Sequence, residues 1–144
     1  MNKQNYISEA KRAANIQINE LKKIKKIFNK SFIKAVDLIL NCKGKIIFAG
    51  IGKSGLIARK ISATFSSVGI PSFFCDPAQA LHGDMGQIEK KDILIIFSYS
   101  GNTSELTNMI KYANRYNIKI IGIFFPTSII SFAKSKVLPI FPPG

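Results

Sequence analysis

A three-layer α/β/α sandwich around a five-stranded parallel sheet is the fold this sequence predicts, and three observations point to it. Short runs of aliphatic and aromatic residues recur without alternating with polar ones, as strands covered on both faces require. A glycine or proline follows each run, and then a helix-like segment. Strands alternating with helices in this way build right-handed βαβ units, and those build a parallel sheet.

The five runs are Ile46 to Ala49, Ser72 to Cys75, Ile93 to Phe97, Ile120 to Ile123 and Val137 to Ile140. Pro139 has no N–H to give a ladder, so the fifth run is an edge strand at best. Before the first strand, residues from about Gln4 to Leu40 carry Leu21, Ile24, Ile27 and Phe28 at helical spacing, with lysines between them and no proline. One or two amphipathic helices are expected there. Their apolar face has the width of one that packs on a core or on another subunit, and the absence of Trp weighs against a helix lying on a membrane. The expected organisation is a single domain over 1–144, with a helical segment at 1–44 and an α/β core at 45–144.

Bulk composition narrows the function classes. With 144 residues, 47% of them hydrophobic, the chain can fill one core without disulfides or metals. The 21 Lys and Arg against 8 Asp and Glu give a net charge of +13, a balance that raises nucleic acid as a partner. Eleven of the basic residues lie in residues 1–45 with three acidic ones. In a sequence crowded with Ile, Lys and Asn, as AT-rich codon usage gives, the excess reads as a solvated helix face, and no nucleic-acid partner is expected. The longest apolar stretch, Ile120 to Phe125, is far short of the roughly 20 residues of a membrane helix. A cytoplasmic protein with no membrane partner is therefore expected. Cys42 and Cys75 lack metal-ligand spacing and read as reduced, buried thiols. No metal and no cofactor are expected.

Two loops carry the chemistry. Gly50-Ile51-Gly52-Lys53-Ser54-Gly55 joins the first strand to a helix running from about Ser54 to Val68. Glycines let backbone approach a ligand, and the free N–H groups of a helix start favour an anion. A nucleotide P-loop needs a glycine where Ile47 stands in mid-strand, so that reading fails. A dinucleotide site satisfies the spacing and stays open, with Asp76 in the place of a ribose-binding acid. Against it, Lys53 intrudes in the turn, and Asp76 followed by Pro77 has the form of a helix N-cap. The second loop, Ser98-Tyr99-Ser100-Gly101-Asn102-Thr103-Ser104-Glu105, surrounds one glycine with hydroxyls at the start of another helix. Asn102 with Glu105 three residues on would make a capping pair, yet the hydroxyls exceed what capping needs. Hydroxyls and helix-start N–H groups together suit a phosphate. With strand order 2-1-3-4-5, as in flavodoxin-like sheets, both loops open into the crevice between the carboxyl ends of strands 1 and 3, where open α/β sheets bind ligands.

These two loops, with Pro71-Ser72-Phe73-Phe74 and Pro77-Ala78-Gln79-Ala80-Leu81-His82-Gly83-Asp84 between them, make the chain resemble the sugar-isomerase (SIS) domain of bacterial arabinose 5-phosphate isomerases. The match spans nearly the whole chain. The resemblance implies a phosphorylated sugar as ligand, interconversion of ribulose 5-phosphate and arabinose 5-phosphate, and a homo-oligomer, a tetramer in the family. It implies that Ser54, Ser98, Ser100 and Thr103 hold the phosphate, with the glycines Gly52 and Gly101 in the loops around them. It sets Lys53, His82 and Glu105 near the sugar carbons. Aldose–ketose exchange needs a base beside a carbonyl and a donor for the enediolate. Glu105 is the expected base, and Lys53 or His82, the only histidine, the expected donor. The family pattern continues past the fifth strand with a second glutamate, another histidine, a long helix and then a pair of cystathionine-β-synthase-type domains. This sequence stops at Gly144, and the expectation is of a truncated domain in which binding is better supported than turnover.

Overall fold

The computed structural model describes residues 3–99, 103–124 and 137–140. Its sheet has five parallel strands in the order β2-β1-β3-β4-β5. They are β1 (Ile46–Gly50), β2 (Ser72–Phe74), β3 (Ile93–Ser98), β4 (Lys119–Phe124) and β5 (Val137–Ile140). Every apolar run of the sequence is a strand, within two residues at each end. Pro139 lies opposite Gly122 on β5, at the end of the strand order, the place where a sheet tolerates a residue without an N–H.

Among the described residues there are five α-helices, α1 (Lys3–Lys23), α2 (Lys30–Leu40), α3 (Lys53–Ser67), α4 (Pro77–Ala80) and α5 (Ser104–Arg115), of which α2 to α5 pack on the sheet. Because side chains alternate across a strand, β1 and β3 each serve two cores. Ile46, Phe48, Ile93, Ile95 and Ile121 meet Ala35 of α2 and Ala58, Ile61 and Phe65 of α3 on one face. Ile47, Ala49, Leu94, Ile96 and Ile120 meet Ala80 of α4 and Leu106, Met109, Ile110 and Ala113 of α5 on the other. The three layers are those the sequence predicts.

The N-terminal helices divide. α2 is amphipathic and seated on the sheet. α1 is exposed on all sides, with every side chain from 5 to 26 open to solvent. Its apolar residues, among them Ile7, Ile16 and Leu21, pack on neither core among the described residues. Of the two expected uses of its apolar face, core packing is thus corrected for α1: that side of the sheet is already covered by α2 and α3.

At the amino ends of the central strands sits a buried carboxylate. Asp92, 1% exposed, accepts hydrogen bonds from the backbone N–H of Lys45 at 2.7 Å and of Glu89 at 2.8 Å, and its other partner is the Lys45 ammonium at 3.3 Å. Burial works against the charge of Lys45, but the hydrogen bonds and charges of Asp92 and Glu89 outweigh it and raise its pKa. Nearby, Cys42 is only half-buried, with its sulfur 3.7 Å from the Lys45 carbonyl; Cys75 is buried as expected. Burial, and then the charges of Asp84 and Asp76, push the Cys75 thiol up to about 11, which leaves it protonated and unreactive.

Candidate functional site: the cleft between β1 and β3

β1 and β3 pair side by side, with Gly50 opposite Phe97 at their carboxyl ends. The helices that follow them, α3 and α5, leave to opposite faces. This is the topological switch point of an open parallel sheet, and a cleft opens there.

The glycines of the first loop make the turn possible in two ways. Gly52 takes φ +59°, a conformation that L side chains rarely adopt. Gly50 and Gly55 let helix and strand touch: a Cβ on Gly55 would stand 2.6 Å from the Gly50 carbonyl oxygen. The start of α3 is thereby drawn against the end of β1.

The cleft has two adjoining lobes of about 200 Å³ each that share Ser54, Phe97, Ser98 and Tyr99. One lobe adds Ile51, Thr103 and Leu106, so that three hydroxyl residues from β3 and from the starts of α3 and α5 converge there. The other adds Ile57, Ile123 and Phe124 and is apolar. Sequence reasoning found the hydroxyls but missed this apolar wall, because nothing in a strand's composition tells which of its last residues turns outward.

Helix capping sets these loops apart. Asn29 caps α2, accepting from the N–H of Ser31 at 2.8 Å and of Phe32 at 3.3 Å, and Asp76 caps α4, accepting from Ala78 N–H at 3.0 Å. The N-caps of α3 and α5, Gly52 and Thr103, make no side-chain cap bond. The first backbone bonds inside α3 come from Gly55 and Leu56, which leaves the N–H groups just before them without helical partners. The two capped helices start away from the cleft, and the two uncapped ones start at it. Uncapped starts with hydroxyls alongside are suited to an anion.

The remaining expected residues fall as follows. Ser54, Ser98 and Thr103 meet in the hydroxyl lobe. Lys53 is exposed on the first turn of α3, beside Ser54 in the chain. Ser100, Gly101 and Asn102 lie outside the described residues. The capping pair of Asn102 and Glu105 gives way to a different start, with Thr103 at the N-cap. The Glu105 carboxylate instead accepts from its own backbone N–H and from the Ser104 hydroxyl at 2.8 Å, and these bonds hold its pKa below the usual carboxylate value. His82 follows α4, is exposed, and does not line either lobe. Asp76 lines a separate pocket of about 190 Å³ and serves α4 as its cap, which removes the argument for it as a ribose-binding acid. Among the described residues there is no cluster of three or more His, Cys, Asp or Glu that would hold a metal, and no helix long and apolar enough to cross a membrane.

Comparison with known proteins agrees with this geometry. Residues 39–138 match the SIS domain family. The chain is 40% identical over 126 residues to the arabinose 5-phosphate isomerase GutQ of Escherichia coli K12, covering 87% of this chain and 39% of that protein. It therefore spans about two fifths of the length of that relative. The solved structure of E. coli CFT073 c3406 in complex with arabinose 5-phosphate superposes with a TM-score of 0.75 at 33% identity, covering 97% of this chain and 76% of that one. Phosphoheptose isomerase GmhA from Neisseria gonorrhoeae shares the fold, with a TM-score of 0.74 at 21% identity over 96% of this chain and 88% of that one.

Proposed function

The chain belongs to the SIS domain family, and on that premise we propose that the cleft between β1 and β3 binds a phosphorylated sugar of the arabinose 5-phosphate and ribulose 5-phosphate type. The observation that carries the reading is the uncapped start of both α3 and α5 at one cleft, in a chain whose helices α2 and α4, starting elsewhere, are capped by side chains. Ser54, Ser98 and Thr103 take the phosphate with the helix-start N–H groups. Gly52, Ser100 and Gly101 join that set by the resemblance of their loops. The likeness to GutQ and to the arabinose 5-phosphate complex supports a pentose phosphate as the ligand.

For isomerisation, Glu105 is the base that removes the proton beside the carbonyl, and a cation stabilises the enediolate. Lys53 is the donor the geometry favours, since its neighbour Ser54 lines the cleft while His82 stands on the α4 turn. A second reading, binding without turnover, draws support from Glu105 itself. Its carboxylate is occupied at its own helix start and holds its proton more weakly than usual, which makes it a poorer base. One preparation separates the two. Melting with millimolar arabinose 5-phosphate reports binding, and solvent deuterium entering the sugar reports proton abstraction. Stabilisation with exchange that is lost in Glu105→Gln supports the isomerase, stabilisation without exchange supports the binder, and no stabilisation rejects both.

We also propose a homo-oligomer in the cytoplasm; the assembly is supported by the apolar residues of α1, which have no partner surface among the described residues. Sedimentation of the purified protein as a monomer at tens of micromolar would reject this assembly.

A further inference from the structure

The division of the cleft into a hydroxyl lobe and an apolar lobe makes one residue stand out that the phosphate reading does not use. Tyr99 directly follows Ser98 at the end of β3, lines both lobes, and is 70% exposed. Tyr99 is therefore an exposed aromatic residue at the junction that the two lobes share. The hydroxyl lobe can satisfy a phosphate without help from Tyr99. What it cannot do is distinguish one phosphate monoester from another, since Ser54, Ser98, Thr103 and backbone N–H groups all address the same oxygens. The rest of the ligand must be read by whatever lies beyond Ser98.

We propose that Tyr99 is a specificity-determining residue of this cleft, which holds the carbon chain of a sugar phosphate against its ring and the neighbouring apolar wall. The inference rests on the sugar-phosphate reading and goes beyond it. A sugar presents C–H faces as well as hydroxyls. An amphipathic tyrosine serves both, the ring packing on the C–H groups and the phenol reaching a hydroxyl. Phe97, shared by both lobes, and Ile123 with Phe124 in the apolar lobe, supply the rest of the apolar lining. A ligand that is phosphate alone gains nothing from this arrangement.

The test is titration calorimetry of inorganic phosphate and of arabinose 5-phosphate on the wild-type chain, Tyr99→Ala and Tyr99→Phe, with melting temperatures recorded to show that each variant folds. Tyr99→Ala is expected to weaken arabinose 5-phosphate by about fivefold or more, the scale of an aromatic contact, while leaving inorganic phosphate within about twofold. Tyr99→Phe should fall between, because the ring stays and the hydroxyl goes. Equal weakening of both probes, or of neither, overturns the assignment of Tyr99 and leaves the phosphate reading standing. A wild-type chain that binds neither probe overturns both.

Discussion

The two ends of the same pair of strands are built on opposite principles. At the amino ends of β1 and β3, one carboxylate is buried and fully engaged: Asp92 takes two backbone N–H groups and an ammonium, so nothing polar is left over. At the carboxyl ends, the N-cap residues of the helices that follow make no side-chain cap bond, and hydroxyls line a cleft with no cation among its described lining residues. A buried, fully partnered polar cluster stabilises a fold, whereas hydroxyls and helix starts that face an open cleft stay able to exchange their partners for a ligand. The contrast assigns stability to one end of the sheet and binding to the other, and substitutions at the two ends should separate those quantities.

The largest effect is expected at the closed end. Asp92→Ala leaves the N–H groups of Lys45 and Glu89 without their acceptor and the Lys45 ammonium without its buried partner, and should cost about 3 kcal/mol of stability. Urea unfolding reads this directly. Where the variant remains folded, its affinity for phosphate should be unchanged, and a matching loss of affinity would break the division between the two ends.

Next is Gly55→Ala. Its new Cβ meets the Gly50 carbonyl at 2.6 Å, a backbone contact that cannot rotate away, so α3 must move off β1. Overpacking of this kind costs about 1–3 kcal/mol. Because the displaced part of α3 is its uncapped start, phosphate affinity should fall as well, unlike in Asp92→Ala. Unfolding and phosphate titration on the same variant check both halves.

A smaller and cleaner contrast comes from two N-caps. Asn29→Ala removes the bonds to Ser31 and Phe32 N–H and should cost about 1 kcal/mol without touching phosphate binding. Thr103→Val removes a hydroxyl that makes no cap bond, so α5 should lose little stability while phosphate binds several-fold more weakly. Equal behaviour of the two variants would mean that capping, not ligand binding, decides the chemistry at both helix starts.

How much of this was legible in the sequence follows from the range of the interactions involved. The strands were, because burial on both faces forces continuous apolar runs. So were the cap at Asp76, signalled by the proline after it, and the convergence of Ser54, Ser98 and Thr103, which follows once strand order is known. Asp92 was not: the charged run Glu89-Lys90-Lys91-Asp92 looks like a solvated turn, and only the pairing of β1 with β3 brings Lys45 over its last residue. Nor was the exposure of α1, since periodicity reports that a helix has an apolar face and not whether this chain supplies a surface for it. The start of α5 was misjudged by one residue, which changed the partner of Glu105 from a capping residue to its own N–H and Ser104.

The smallest expected effect concerns that carboxylate and its dependence on pH. The folded state lowers the pKa of Glu105, so the stability it contributes is fully present above the unfolded value of about 4.3 and is lost as pH falls through the lower folded value. The difference in melting temperature between wild type and Glu105→Gln should therefore be flat from neutral pH down to about 5 and shrink below that. Phosphate adds a test of position. An anion bound at the same helix start places a second negative charge near the carboxylate, which disfavours its ionised form and raises its pKa. With saturating phosphate the decline should therefore be smaller and end at a higher pH than without it, and an unchanged profile would put the anion away from α5.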